Sequence, residues 1–172
     1  SGDSITTGSN NTGLGYASLS ENTTASNNTA VGYFALTANT TGASNVAVGT
    51  LALDANTTAP NNTAVGYGSL GANTTGTRNS ALGTSSGDEV TTGADNTFIG
   101  YAAATHVTNL STGSRNTLIG AYVHTSNVAS DEANGFGYDI NAVAGYTTIG
   151  KGTSDIRAAH GNITWATVSD QR

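Results

Sequence analysis

Cysteine and methionine are absent from these 172 residues, proline and tryptophan occur once each, and only 9% of the side chains are charged. Without cysteine there is neither a disulfide staple nor a thiolate metal site, and the redox compartment is left undecided. Five basic residues face eleven acidic ones, a net charge of −6. Arg78, Arg115, Lys151, Arg157 and Arg172 are scattered, which argues against a nucleic-acid groove or an anionic membrane surface, since both need clustered positive charge. No apolar run long enough to span a membrane exists and no signal peptide opens the chain, so the expectation is a soluble segment, without membrane insertion, whose export, if any, is encoded elsewhere.

Gly, Asn, Thr, Ser and Ala dominate instead. Low charge with few aromatics could accompany disorder, but disordered chains are rich in Pro, Lys and Glu, whereas here Val, Leu and Ile recur at regular intervals. The regularity is a repeat. Taking the glycine of Asn28-Thr29-Ala30-Val31-Gly32 as a marker gives Gly15, Gly32, Gly49, Gly66, Gly83 and Gly100 at a spacing of 17, then Gly120 after 20, Gly137 after 17 and Gly150 after 13. A fixed period of this size signals a solenoid.

The residue before each marker forms a ladder without a polar member: Leu14, Val31, Val48, Val65, Leu82, Ile99, Ile119, Phe136 and Ile149. These side chains are expected to stack as a core. A second ladder, Leu19, Leu36, Leu53 and Leu70, fades to Gly87 and Ala104 and is expected to close the other side of each coil. The corners carry Asn-Thr-Thr-Gly or Asn-Thr-Thr-Ala from Asn22, Asn39, Asn56 and Asn73, which suits tight turns and defeats a helical reading. The fold class that follows is all-β, a parallel β-solenoid with two short strands per coil, stepping roughly 4.8 Å per coil. About nine coils would make a rod on the order of 40 Å long. Asn11, Asn28, Asn45, Asn62, Asn79, Asn96 and Asn116 would either stack amide to amide or serve as ordinary turn residues.

If Val31 and Thr29 face the coil interior, alternation turns Ala30, Ala47, Ala64, Ala81, Phe98 and Leu118 outward. A strand apolar on both faces is normally buried on both, so these six residues are the expected interface of a homotrimer, side by side or intertwined, the plainer alternative being a few exposed alanines on a monomer. Irregularity sets in at Asp88, where Asp88-Glu89-Val90 replaces the usual Ala-Asn pair, and grows through a three-residue insertion around His106 to Gly113 and a departure over residues 124–135. Broken repeats are where solenoids tend to place binding surfaces. Asp88, Glu89, His106, Asn109, His124, Asp131 and Glu132 are therefore the binding candidates. Residues 1–151 read as the repeat domain and 152–172 as a C-terminal extension.

No catalytic constellation stands out, no cofactor is implied, and His106, His124 and His160 lack metal-ligand spacing. Tyr16, Tyr33, Tyr67, Tyr101 and Tyr138 follow marker glycines; packing between coils is preferred to a sugar-binding stripe. The Thr pairs at 40–41, 57–58 and 74–75 raise ice binding as a further alternative, although they lie in turns rather than on a flat strand.

At these residues the chain resembles two families. The Asn-Thr-Ala-Val-Gly phrase is similar to the head repeats of trimeric autotransporter adhesins, which are trimeric parallel β-rolls. Its longer form, with Tyr-x-Ala-Leu and Asn-Thr-Thr-Gly, looks more like the repeat region of bacteriophage tail fibres, over roughly residues 8–151. Ile156-Arg157, Gly161-Asn162, Trp165 and Val168-Ser169-Asp170-Gln171-Arg172 resemble the junction leading into the self-cleaving intramolecular chaperone of tail fibres and tailspikes. The resemblance implies a tail-fibre segment on a virion, trimeric, attaching to a host glycan or outer-membrane component, with a bacterial adhesin head as the alternative. Ser169 matches the family's cleavage serine and Asp170 its neighbour; the assisting lysine and the chaperone are not in the sequence, so this segment is expected to be catalytically inert.

Overall fold

The computed structural model describes residues 6–105 and 110–161, together with the backbone of 166–167. The fold is an all-β parallel solenoid, with no helix among the described residues. Each regular coil contributes one three-residue strand: β1 (Thr12–Leu14), β2 (Thr29–Val31), β3 (Val46–Val48), β4 (Thr63–Val65), β5 (Ser80–Leu82), β6 (Thr97–Ile99) and β7 (Thr117–Ile119). After β8 (His124–Thr125) come β9 (Asn134–Tyr138), β10 (Asn141–Ala142), β11 (Tyr146–Lys151), β12 (Ser154–Ala159) and β13 (Ala166–Thr167). Strands β1 to β7, β9 and β11 pair in parallel and in order, so marker stands beside marker. They are the rungs of about eight turns. The unequal spacings near the end leave register intact, Ile119 and Ile149 both pairing with Phe136. β8 and β10 form a small parallel sheet of their own, while β12 and β13 run antiparallel and close the C-terminal side.

The expected second strand per coil is absent from the regular coils, and backbone geometry explains why. Phe34 and Leu36 have φ of 56° and 52°, and Leu51 and Leu53 repeat them at 58° and 51°. A strand cannot contain two left-handed residues, so this segment is a double bend. A third left-handed corner follows at Asn27, Ser44, Asn61, Arg78 and Asp95, with φ between 57° and 64°. Such corners disfavour branched side chains and favour Asn and Asp, which accounts for much of the composition. The marker glycine is fixed differently. Gly66 has φ of +137° and a Cβ there would lie 2.6 Å from the carbonyl carbon of Gly83, so the coils approach too closely for any side chain.

The largest correction concerns which side of the strand is inside. Ala30, Ala47, Ala64, Ala81, Phe98 and Leu118, expected at an interface between chains, are buried within the single coil. Leu14, Val31, Val48, Val65, Leu82, Ile99, Ile119, Phe136 and Ile149, expected to form the core, point outward; Leu14 is 67% and Leu82 51% exposed. The cause is space. Leu19, Leu36, Leu53 and Leu70 do fill the interior from the opposite wall, as expected, together with a column of Ser and Ala at 18, 35, 52, 69, 86 and 103. Two buried asparagines share that interior in each coil from Asn22 to Asn79, so opposite a leucine only alanine fits at the strand; Phe98 and Leu118 enter where Gly87 and Ala104 stand in the leucine's place.

Those asparagines form two ladders of different kinds. In the ladder expected from Asn11 to Asn116, the bonds run mainly to backbone rather than amide to amide. Asn28 Oδ1 accepts from the Asn45 N–H (2.9 Å) while its Nδ2 donates to the Gly42 carbonyl (2.9 Å), and the pattern repeats with Asn45, Asn62 and Asn79. Amide-to-amide stacking instead joins the corner residues: Asn39 Nδ2 donates to Asn22 Oδ1 (2.9 Å), Asn56 to Asn39 (3.0 Å) and Asn73 to Asn56 (3.1 Å). Buried polar groups in a narrow core must be paired to be tolerated. Stacked coils supply the partners.

Candidate functional site

The residues singled out as binding candidates do not converge on one place. Asp88 and Glu89 follow the marker Gly83 by five and six residues, whereas Asp131 and Glu132 belong to the strand-side corner of their coil. Glu132 Oε1 accepts from Arg115 Nε (3.0 Å), and Asp131 Oδ1 accepts from the Ser114 N–H (2.6 Å). One turn away Arg78 meets Asp95 through Nε (2.6 Å) and Nη2 (2.9 Å). The corner column therefore reads Arg78, Asp95, Arg115, Glu132, alternating in sign. The bond from Arg78 holds the Asp95 carboxyl below its ordinary range. Exposed pairs of this kind contribute little stability; they give the solenoid one edge of alternating charge. Their signal was legible as charges falling one per coil at the same place in the repeat.

His124 is a correction. It stands four residues after Gly120, the place that Leu36 occupies after Gly32, and is only 8% exposed. Its Nδ1 lies 3.1 Å from the Tyr122 carbonyl, and since a carbonyl only accepts, Nδ1 carries the proton in that contact. A buried residue of the leucine column is not a surface contact. His106 and Asn109, and the junction residues Ser169 and Asp170, lie outside the described residues.

Asp88 has a partner that the sequence reading passed over. Asp54, Gly71 and Asp88 occupy the same place in three successive coils, and a Cβ on Gly71 would lie 2.6 Å from Asp88 Oδ1 and 3.4 Å from Asp54 Oδ1. Two carboxylates thus lean over one glycine from either side. Burial, then the nearby Glu89 and Asp54, push the Asp88 carboxyl above its usual range; burial also raises Asp54. A raised folded-state pKa means that the native protein takes up the proton more readily than the unfolded chain, so the penalty is present at neutral pH and is relieved as pH falls through the raised value towards the ordinary one near 3.8. Asp88→Asn is accordingly expected to raise the melting temperature at pH 7, by about 2 °C given that half-exposed charges are well screened. Thermal melts at pH 7 and pH 4 check this: the advantage should shrink at pH 4, and an equal or larger advantage there contradicts it.

The tyrosine column packs between coils at both ends. Tyr16 stacks on Tyr33 at 5.5 Å and 16°, and Tyr33 meets Phe34 edge-on at 4.5 Å. Further along, Tyr101, Tyr122 and Tyr138 pack edge to face at 5.2 and 5.9 Å, with Lys151 Nζ 5.9 Å from the Tyr138 ring centre. Rings joined edge to face offer no continuous flat platform. In the Thr pairs, the first hydroxyl is used internally: Thr40 Oγ1 donates to the Thr57 carbonyl (3.1 Å) and Thr57 to Thr74 (3.3 Å). One exposed threonine per coil remains, at Thr41, Thr58 and Thr75.

Among the described residues no group of three or more His, Asp or Glu is placed to hold a metal ion, and no helix is long and apolar enough to cross a membrane. Comparison with protein-family models, curated proteins and solved structures finds no match to this chain. The surface that remains has a charged edge, a carboxylate pair and one long apolar face.

Proposed function

We propose that this chain is a structural and binding segment of a bacteriophage tail fibre, a rigid homotrimeric shaft or tip that attaches the virion to a host-surface glycan or outer-membrane component. The observation that carries this reading is the division of labour along the solenoid. In the regular coils the inward side chains have a packing or hydrogen-bonding use: Leu36 and Ala47 fill the interior, Asn39 and Asn45 tie coil to coil, and Thr40 bonds its neighbour's backbone. Such coils set a length and hold other groups at a distance. Departures from the repeat, from Asp88 to Glu132, bring charge and bulk that the stacking does not require.

A labelled preparation incubated with a panel of bacteria tests the proposal. Binding to at least one host is expected, weakened roughly tenfold by the paired changes Glu89→Ala and Asp131→Ala, the size of losing a well-placed charged contact. The regular-coil changes Thr41→Ala and Thr58→Ala should leave it unaltered. Binding that depends on Thr41 and Thr58 instead would move the contact to the shaft. Binding to no bacterium, or equal binding to abiotic surfaces, would remove the attachment role.

A further inference from the structure

The outward face of the strands is the largest surface that the fold leaves unused. Leu14, Leu82, Ile99 and Ile149 are exposed by 67%, 51%, 38% and 41%, and their rows are completed by Val31, Val48, Val65, Ile119 and Phe136. Two residues earlier in each strand the outward place is held by Thr, Val or Ser, never a charged group from Thr12 to Thr117. None of these side chains has room inside, because alanine and leucine already fill the coil. Nine rungs at about 4.8 Å and strands roughly 10 Å long make a strip of about 400 Å². That is as large as the largest apolar patch of a typical monomer and about half of the roughly 800 Å² that one partner contributes to a standard interface.

We infer that identical copies of this chain cover that face, packed side by side in the same direction with like coils at the same height. Three observations select a copy over an unrelated partner. The apolar rows advance by one residue per coil over the whole length, a pitch that only another such solenoid reproduces without losing step. A groove of about 180 Å³ opens on this face between Thr63, Val65, Ser80, Leu82, Thr97 and Ile99. It opens because Ser80 is the smallest member of its row, and its own coil carries Leu82, so rotation about an axis parallel to the rod brings the projecting leucine of one copy to the level of the groove in the next. Finally, several of the described acidic groups lie off the two outward rows: Asp54 and Asp88 on the bend, Asp95, Asp131 and Glu132 on the corner. Copies can therefore meet through this face without opposing like charges. The contact residues are the outward row that includes Val65 and Leu82, and not the buried alanines.

This deepens the fibre reading by assigning the surface of its self-association, and it stands or falls separately from attachment to bacteria. Because the chain has no cysteine, single cysteines report cleanly. Leu14→Cys, at the first rung, and Leu82→Cys, in the middle, are each treated with a short bismaleimide and read on a denaturing gel, beside Asn61→Cys at an exposed corner. Both ladder variants should cross-link to dimers and Asn61→Cys should remain single. Native mass spectrometry of the unaltered protein should give a multiple of 17.1 kDa, three copies if the axis is threefold. A single-copy mass at tens of micromolar overturns the inference, as does cross-linking through Asn61→Cys in place of Leu82→Cys. Cross-linking of Leu82→Cys without Leu14→Cys overturns the parallel arrangement, since antiparallel copies would match the middle rung but separate the first ones. Binding to bacteria by a single-copy protein would leave the attachment reading standing while removing this one.

Discussion

Leucine introduced at position 87 is expected to destabilise the solenoid by about 3 kcal/mol, the upper range for overpacking a filled core. A Cβ on Gly87 would already lie 2.6 Å from Phe98 Cδ2 and 2.9 Å from Leu70 Cδ2. Backbone strain is not the obstacle, because Gly87 has φ of 65° and Leu36, Leu53 and Leu70 occupy the equivalent place at 51–52°. The obstacle is the Phe98 ring. Phe98→Ala alone should cost about 3–5 kcal/mol through the cavity that it leaves. Combined, Gly87→Leu with Phe98→Ala restores the pairing of leucine and alanine seen between Leu70 and Ala81, and should cost clearly less than the sum of the two single changes. A coupling on the order of 2–3 kcal/mol in urea or thermal unfolding is the expected reading. Additive costs would mean that the two residues do not share one space.

The same pair shows how the inside of the strand was legible. Spacing alone established the solenoid, the order of the rungs and even the register across the unequal coils, because a repeat restates its geometry each time. Hydrophobicity then suggested that Val31 faces in and Ala30 out, which is the wrong way round. The correcting signal was in the sequence. Alanine gives way to Phe98 one coil turn after leucine gives way to Gly87, and to Leu118 just after Ala104. An outward phenylalanine has no reason to arrive where an inward leucine disappears; two side chains that fill one space do. Volume compensation between rows was a better guide to burial than polarity along the strand.

The candidate site was less legible, for a related reason. Acidic residues and histidines look alike in a sequence whether they end a loop or occupy a column. Counting from the marker glycine separates them: His124 falls in the leucine column, and Asp88 falls two coils beyond Asp54 with Gly71 between. What counting could not supply is the third coordinate, whether two columns share an edge. Asp88 and Asp131 are neighbours in irregularity and lie on different edges of the rod, because the bend and the strand corner are separated by the width of the coil.

The second large effect is expected at Asn45. Its Nδ2 donates to the Ala59 carbonyl and its Oδ1 accepts from the Asn62 N–H, both at 2.9 Å and both wholly buried. Asn45→Ala strands the Asn62 N–H, at about 1–3 kcal/mol, and removes one of the two donors to the Ala59 carbonyl, which keeps Asn56 Nδ2 at 3.1 Å. With the cavity left in the core, a loss of about 2–3 kcal/mol, or roughly 6–10 °C for a chain of this size, is expected in a thermal melt. The fold itself shows that one orphan is tolerable. Asn73 Oδ1 lacks a partner because Val90 stands where the next asparagine of its ladder would be. A stranded backbone donor in mid-stack is a heavier burden than that side-chain acceptor, since the coils on either side depend on it for their position. Asn45→Asp separates geometry from bonding. It keeps the shape and the acceptor but loses the donor, and it places a carboxylate in the core, where burial raises the pKa. At neutral pH it should therefore be at least as damaging as alanine. As pH falls the carboxyl protonates in the folded state before it does in the unfolded chain, regains a donor for the Ala59 carbonyl, and the deficit should narrow between pH 7 and pH 4. An Asn45→Ala protein within about 1 kcal/mol of the parent, or an Asn45→Asp deficit that widens on acidification, would show that the coils are held by packing and backbone ladders alone.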